Sequence, residues 1–137
     1  MSFSFRISSL GLAGAAVLFA TMAAQATGSI SCTGVDDDTV SADIGFGTLP
    51  VLHVVSLYVT AGGERFSLNP QSGETEVIKG DGAFLDDGLI ARFTDPNVTQ
   101  VLIELRILSK SEAKSDASVG ILTLPGSEAF ALSCIGP

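Results

Sequence analysis

From residue 100 onward the chain alternates. Val101, Ile103, Leu105 and Ile107 take every second position and Gln100, Glu104 and Arg106 lie between them, with Leu102 and Leu108 as apolar exceptions on the polar side. Successive side chains of a strand point to opposite faces, so this period of two predicts a half-buried strand over residues 98–109. Residues 51–60 are apolar on both faces, Val51, Val55, Leu57 and Val59 against Leu52, Val54 and Tyr58. That pattern suits a central strand. Residues 89–93 and 119–124 read as shorter strands.

Turn chemistry separates these runs. Gly62-Gly63 and Asp87-Gly88 tolerate positive φ and suit tight hairpins. Asn69-Pro70, Asp95-Pro96-Asn97 and Pro125-Gly126 mark further reversals. Residues 109–117 are polar and charged and read as a longer exposed loop. No long stretch keeps a helical stripe; residues 111–117 hold a turn at most. The expected fold is therefore all-β, an antiparallel meander of about 8–10 short strands forming a small sandwich or barrel.

The first 26 residues follow a different pattern. Arg6 precedes an almost wholly apolar run from Leu10 to Ala24, and Ala24-Gln25-Ala26 places small residues around a cleavage point. This is the layout of a secretory signal peptide, cut after Ala26. The run is shorter than the roughly 20 residues that span a bilayer, and Gly11, Gly14 and Thr21 interrupt it. Residues 27–137 then form a single β domain, exported to the periplasm or secreted, with no stable membrane insertion after cleavage.

The two cysteines acquire meaning from that setting. Ile30-Ser31-Cys32 and Leu132-Ser133-Cys134 repeat one arrangement near the two ends of the domain. In strand phase, Cys32 shares a face with Ile30, and Cys134 shares one with Phe130 and Leu132. Two inward-facing cysteines and no third, in an oxidising compartment, predict one disulfide from the first strand to the last. It requires Cα atoms within about 7 Å.

Charge narrows the partners. Loss of Arg6 with the leader leaves six basic residues against 15 acidic ones, a net of −9. Such a surface repels nucleic acid and anionic lipid, and would steer a cationic protein.

Candidate chemistry is sparse. His53 is the sole histidine, with no acid two residues away on its strand. A general base there would need a partner and an orienter from elsewhere in the fold. Asp36, Asp37 and Asp38 form an acidic run, and Asp81, Asp86, Asp87 and Asp95 gather around turns. Turn formation accounts for Asp87 and Asp95, and the spacing does not match a calcium loop. Ser111-Glu112-Ala113-Lys114 fits S-x-x-K without its companion motifs. Gly45-Phe46-Gly47 lacks a third glycine and a following helix. Asn97-Val98-Thr99 is a formal glycosylation sequon.

These features favour a non-enzymatic binding or interaction module without a cofactor or metal. The 109–117 segment, with Ser109, Lys110, Glu112, Lys114 and Asp116, is the expected contact loop. In size, acidity and export the chain resembles the small periplasmic lysozyme inhibitors. Ser72-Gly73 is similar to the start of their inhibitory loop, but Glu74, Thr75 and Glu76 follow where that loop has a tyrosine. A host-directed secreted factor is a related alternative. A small hydrolase using His53 or a facing carboxylate pair is the alternative from another class.

Overall fold

Ten strands carry the fold in the computed structural model, which describes residues 28–112 and 115–136. They are β1 (Gly28–Gly34), β2 (Ser41–Phe46), β3 (Val54–Ala61), β4 (Glu64–Ser67), β5 (Thr75–Glu76), β6 (Ile78–Leu85), β7 (Gly88–Thr94), β8 (Val101–Glu112), β9 (Ser115–Leu124) and β10 (Glu128–Ile135). The signal segment and Lys114 lie outside the described residues.

One sheet contains all ten, in the order β5-β4-β3-β2-β1-β10-β9-β8-β7-β6. Every neighbouring pair is antiparallel except β4 and β5. The two outermost strands are consecutive in the chain, separated only by Val77. That residue is fully buried, and its N–H donates to the Ser67 carbonyl at 3.0 Å. The chain thus steps from one edge of the sheet to the other and closes it into a nearly complete barrel, not a sandwich. Closure covers strand edges that would otherwise invite association. Lower on the seam, the Phe46 and Phe84 rings meet edge to face, 5.5 Å apart at 76°.

Alternation sorts the side chains. Ile103, Leu105 and Ile107 of β8 are wholly buried, as are Leu122 of β9 and Val59 of β3. With Phe93, Leu132 and others they fill the barrel, each such side chain contributing roughly 1.5–3 kcal/mol over exposure. The clasp joins β1 to β10: Cys32 and Cys134 are register partners with Cα atoms 4.0 Å apart and form the disulfide.

Several boundaries differ from the sequence reading. The central strand begins at Val54, so Val51 and His53 fall in the β2–β3 connection. The strand expected over 98–109 runs instead from Val101 to Glu112, because residues 95–100 form a turn held by Asp95. The expected 109–117 loop is a correction of larger consequence: its described residues extend β8 and β9, paired as Ser109 with Ser118, Lys110 with Ala117 and Ser111 with Asp116. The β6–β7 turn is Asp86 and Asp87, since Leu85 pairs with Gly88. The Gly62-Gly63 hairpin is as expected, with φ of 61° and 77°, the left-handed pair that matches strand twist.

Antiparallel order also sorts the connections. Those of β1–β2, β3–β4, β7–β8 and β9–β10 lie at one end of the barrel. The β2–β3, β6–β7 and β8–β9 connections lie at the other, where β1 begins and β10 finishes.

Candidate functional site

Because apolar side chains fill the barrel, polar chemistry is carried by its outer wall, its seam and its turns. His53 sits at the seam, exposed, where the start of β3 passes β6. A recess of about 150 Å³ opens there, bringing His53 beside Lys79, Asp81 and Arg92. Gly82 matters to its shape: a Cβ there would lie 2.9 Å from Leu52 Cδ2 and from the Ile90 carbonyl, so only glycine lets Leu52 lie against β6. The recess is well below the ~300 Å³ at which small-molecule sites begin. Among the described residues no hydrogen bond reaches the His53 ring. Asp81 is turned instead to Arg92, whose Nη1 donates to Asp81 Oδ2 at 2.6 Å.

That contact begins a charge row on the outer wall. Arg92 Nε donates to Glu104 Oε2 at 2.6 Å, and Arg106 Nε donates to Glu104 Oε1 at 2.8 Å. The row forms because Arg92 and Glu104 are register partners, and a bulge between Lys79 and Gly82 lifts Asp81 toward Arg92. Hydrogen bonds from Arg92 and then Arg106 hold the Glu104 carboxyl below the usual range. The bonds that Arg92 donates to Glu104 and then to Asp81 raise the pKa of its guanidinium.

Below the row the wall is mostly apolar, with Arg106 as its charged member. The outward positions of β6, β7, β8 and β9 form a grid set by register. Ala83, Ile90, Arg106 and Ile121 make one line across it, and Leu85, Gly88, Leu108 and Val119 make the next. Leu108, Val119 and Ile121 are each half exposed, at 50%, 57% and 52%. A hollow of about 430 Å³ opens among Leu85, Ile90, Leu108 and Ile121, beside Gly120. Sequence reasoning passed over this face, though its signal was present. Leu108 breaks the alternation of β8, and Ile90, Val119 and Ile121 break that of their own strands. Exposed singly such residues mean little, whereas a contiguous apolar patch marks an interaction surface.

The described residues of the expected contact segment lie on the β8–β9 hairpin. Ser109 and Asp116 point to the inner side of the β8–β9 hairpin, in a recess of about 390 Å³ beside Cys134 and Ile135. Ser118 Oγ donates to Ser109 Oγ at 2.8 Å, and the Ser111 hydroxyl donates to the Asp116 carboxylate. Lys110 also lines this recess, Glu112 stands at the hairpin's end opposite Ser115, and Lys114 lies outside the described residues.

The acidic turns are organised by their own aspartates. Asp95 accepts from the N–H groups of Gln100, Thr99 and Asn97 at 2.7, 2.7 and 3.2 Å, and from the Thr99 hydroxyl at 2.9 Å. These bonds, the one from Gln100 foremost, lower its pKa. Asp37 is lowered likewise by the Thr39 hydroxyl and N–H. Among the described residues, no three or more His, Cys, Asp or Glu side chains form a group that could hold a metal ion. Ser72 and Gly73 lie in a turn closed by the Gln71 N–H to Glu74 Oε2, at 2.9 Å, and the Glu74 N–H to the Gln71 carbonyl, at 3.1 Å.

No family model, no characterised protein and no solved structure matches the chain.

Proposed function

We propose that the protein is an exported binding module, acting by docking and not by catalysis, whose working surface is the outer wall of β6–β9. One observation carries this reading: Leu108, Val119 and Ile121, half exposed, stand in register neighbours' positions on a barrel that already has a filled core. Burying them in the barrel was not required for folding, and leaving them in water is unfavourable. The leader over residues 1–26 and the Cys32–Cys134 bond both suit an oxidising compartment outside the cytoplasm. The acidic remainder of the surface would steer a cationic partner.

The test compares the exported protein with its Leu108→Glu variant as bait in extract from the compartment where it resides. At least one protein should be retained by the native bait and lost by the variant. Identical retention by the two would remove this wall from consideration. Intact mass of the exported protein checks the premise, since a chain beginning at Thr27 is expected.

A further inference from the structure

We propose that the seam recess between the start of β3 and β6 binds a tetrahedral oxyanion, a phosphate or sulfate group, through Lys79, His53 and Arg92. The site stands apart from the apolar docking wall and does not rest on that reading.

The barrel is closed unevenly at this place. β4 pairs only with residues 58–61 of β3, so Val54 faces β6 across the seam with no strand between. β6 bulges opposite, leaving Gly80 and Asp81 without register partners on β7. The recess of about 150 Å³ lies between these two irregular edges. A Cβ on Gly80 would come 2.9 Å from the Arg92 carbonyl oxygen, so the bulge keeps its shape only with glycine there.

The charges around the recess run against those of the domain. Fifteen acidic residues face six basic ones after the leader, yet two of the six and the sole histidine line this one recess. Asp81 is the one acid among its lining residues, and its carboxylate is engaged by Arg92. Lys79 and Arg92 against Asp81 leave a net of +1, counting His53 as neutral, on a domain of −9. Among the described residues, neither the Lys79 ammonium nor the His53 ring has a hydrogen-bond or ion-pair partner. Acids to pair them are abundant in this chain. Three basic groups gathered without them repel one another, and a bound anion reverses the sign of that interaction.

Donor geometry selects the kind of anion. Arg92 commits Nη1 to Asp81 and Nε to Glu104, so its guanidinium does not present an unused fork. The remaining donors come singly from three places: Lys79 on β6, Arg92 on β7 and His53 just before β3. Such a set suits an ion with acceptor oxygens in several directions, whereas a planar carboxylate is best matched by an intact arginine fork. The volume admits one such ion and leaves any organic body attached to it outside.

NMR titration of the exported protein, disulfide intact and without a histidine tag, tests the site. His53 is the sole histidine, so its ring signals assign themselves. Added phosphate, at fixed pH and ionic strength, should move them to saturation with a dissociation constant of about 0.1–10 mM. Sulfate should move the same signals, and acetate should bind at least about five-fold more weakly. Lys79→Ala should raise the phosphate constant at least about five-fold, while Lys110→Ala on the β8–β9 hairpin should leave it within about two-fold. Both lysines are exposed, and circular dichroism confirms that the variants are folded. Sodium chloride should weaken binding.

Glycerol phosphate separates the two sources of such a group. Affinity comparable to that of free phosphate means that the site reads a phosphate carried by a larger molecule; loss of binding means that it takes the free ion. Either result upholds the oxyanion site. Shifts that do not saturate by about 50 mM phosphate or sulfate overturn it, as does saturation that Lys79→Ala leaves unchanged. Acetate binding as tightly as phosphate overturns the choice of a tetrahedral ion.

Discussion

Cys32 and Cys134 stand directly opposite each other on β1 and β10, 102 residues apart in the chain and 4.0 Å apart between Cα atoms. The bond therefore closes a loop that contains nearly the whole barrel. In the chain-entropy treatment a loop of about 100 residues is worth roughly 4.7 kcal/mol, taken mainly from the freedom of the unfolded state. Replacing both cysteines with serine should lower unfolding free energy by about 2–5 kcal/mol. Urea titration of the two proteins measures this. A loss under about 1 kcal/mol would mean the unfolded chain is already held compact.

Gly88 gives a steric prediction. A Cβ built there falls 1.9 Å from the Ile107 carbonyl oxygen, and backbone cannot yield as a flexible side chain can. Gly88→Ala should therefore force β7 away from β8 and cost about 1–3 kcal/mol or more. Ala83→Gly on the neighbouring strand removes a methyl without such a clash and serves as the comparison. Equal denaturation midpoints for Gly88→Ala and the native protein would contradict the register at this pair.

Val98 carries strain. Its φ is +58°, in the left-handed region that β-branched residues avoid, and its side chain is exposed. Burial of the side chain does not offset that cost; the Asp95 hydrogen bonds impose the conformation. Asn tolerates the region, so Val98→Asn should stabilise the protein by up to about 1 kcal/mol. Thermal unfolding reads the change, and a lower melting temperature would argue that the valine side chain makes a stabilising contact.

Acid should loosen the turns first. The carboxyls of Asp37, Asp95 and Glu104 are all lowered by hydrogen bonds in the folded state. A depressed acid contributes stability that is fully present above its unfolded pKa, about 4, and is lost as pH falls through the lower folded value. Stability should thus be level above about pH 5 and decline below pH 4. Carbon-detected NMR titration should find the Asp95 carboxyl below the ordinary aspartate range. In Asp95→Ala the amides of Thr99 and Gln100 should exchange faster, and the decline in acid should be shallower.

The strands that were legible in the sequence are those with one wet face. Ile103, Leu105 and Ile107 announce an inner face because their neighbours are polar, and the paired glycines at 62 and 63 announce a hairpin. What escaped was set by distant contacts. β6, with Gly80 and Gly82, has weak strand character of its own and is held by pairing with β7. The β8–β9 extension is polar because Ser109, Ser111, Asp116 and Ser118 have passed beyond the core, so strand pairing continues after the apolar signal stops. Sandwich and barrel share one alternation pattern, and only the step through Val77 decides between them. The outer wall was visible piecemeal as Leu108 and Ile121, but no single strand shows that they are neighbours.

The clasp also determines how the molecule responds to force. β1 begins and β10 finishes at the same end of the barrel, and tension applied through them meets the Cys32–Cys134 bond before it reaches any sheet hydrogen bond outside the short terminal pieces. About 100 residues, some 350 Å of extended chain, are thereby shielded from load. Stretched end to end while oxidised, the protein behaves as a nearly inextensible link, and reduction turns the same chain into a long tether.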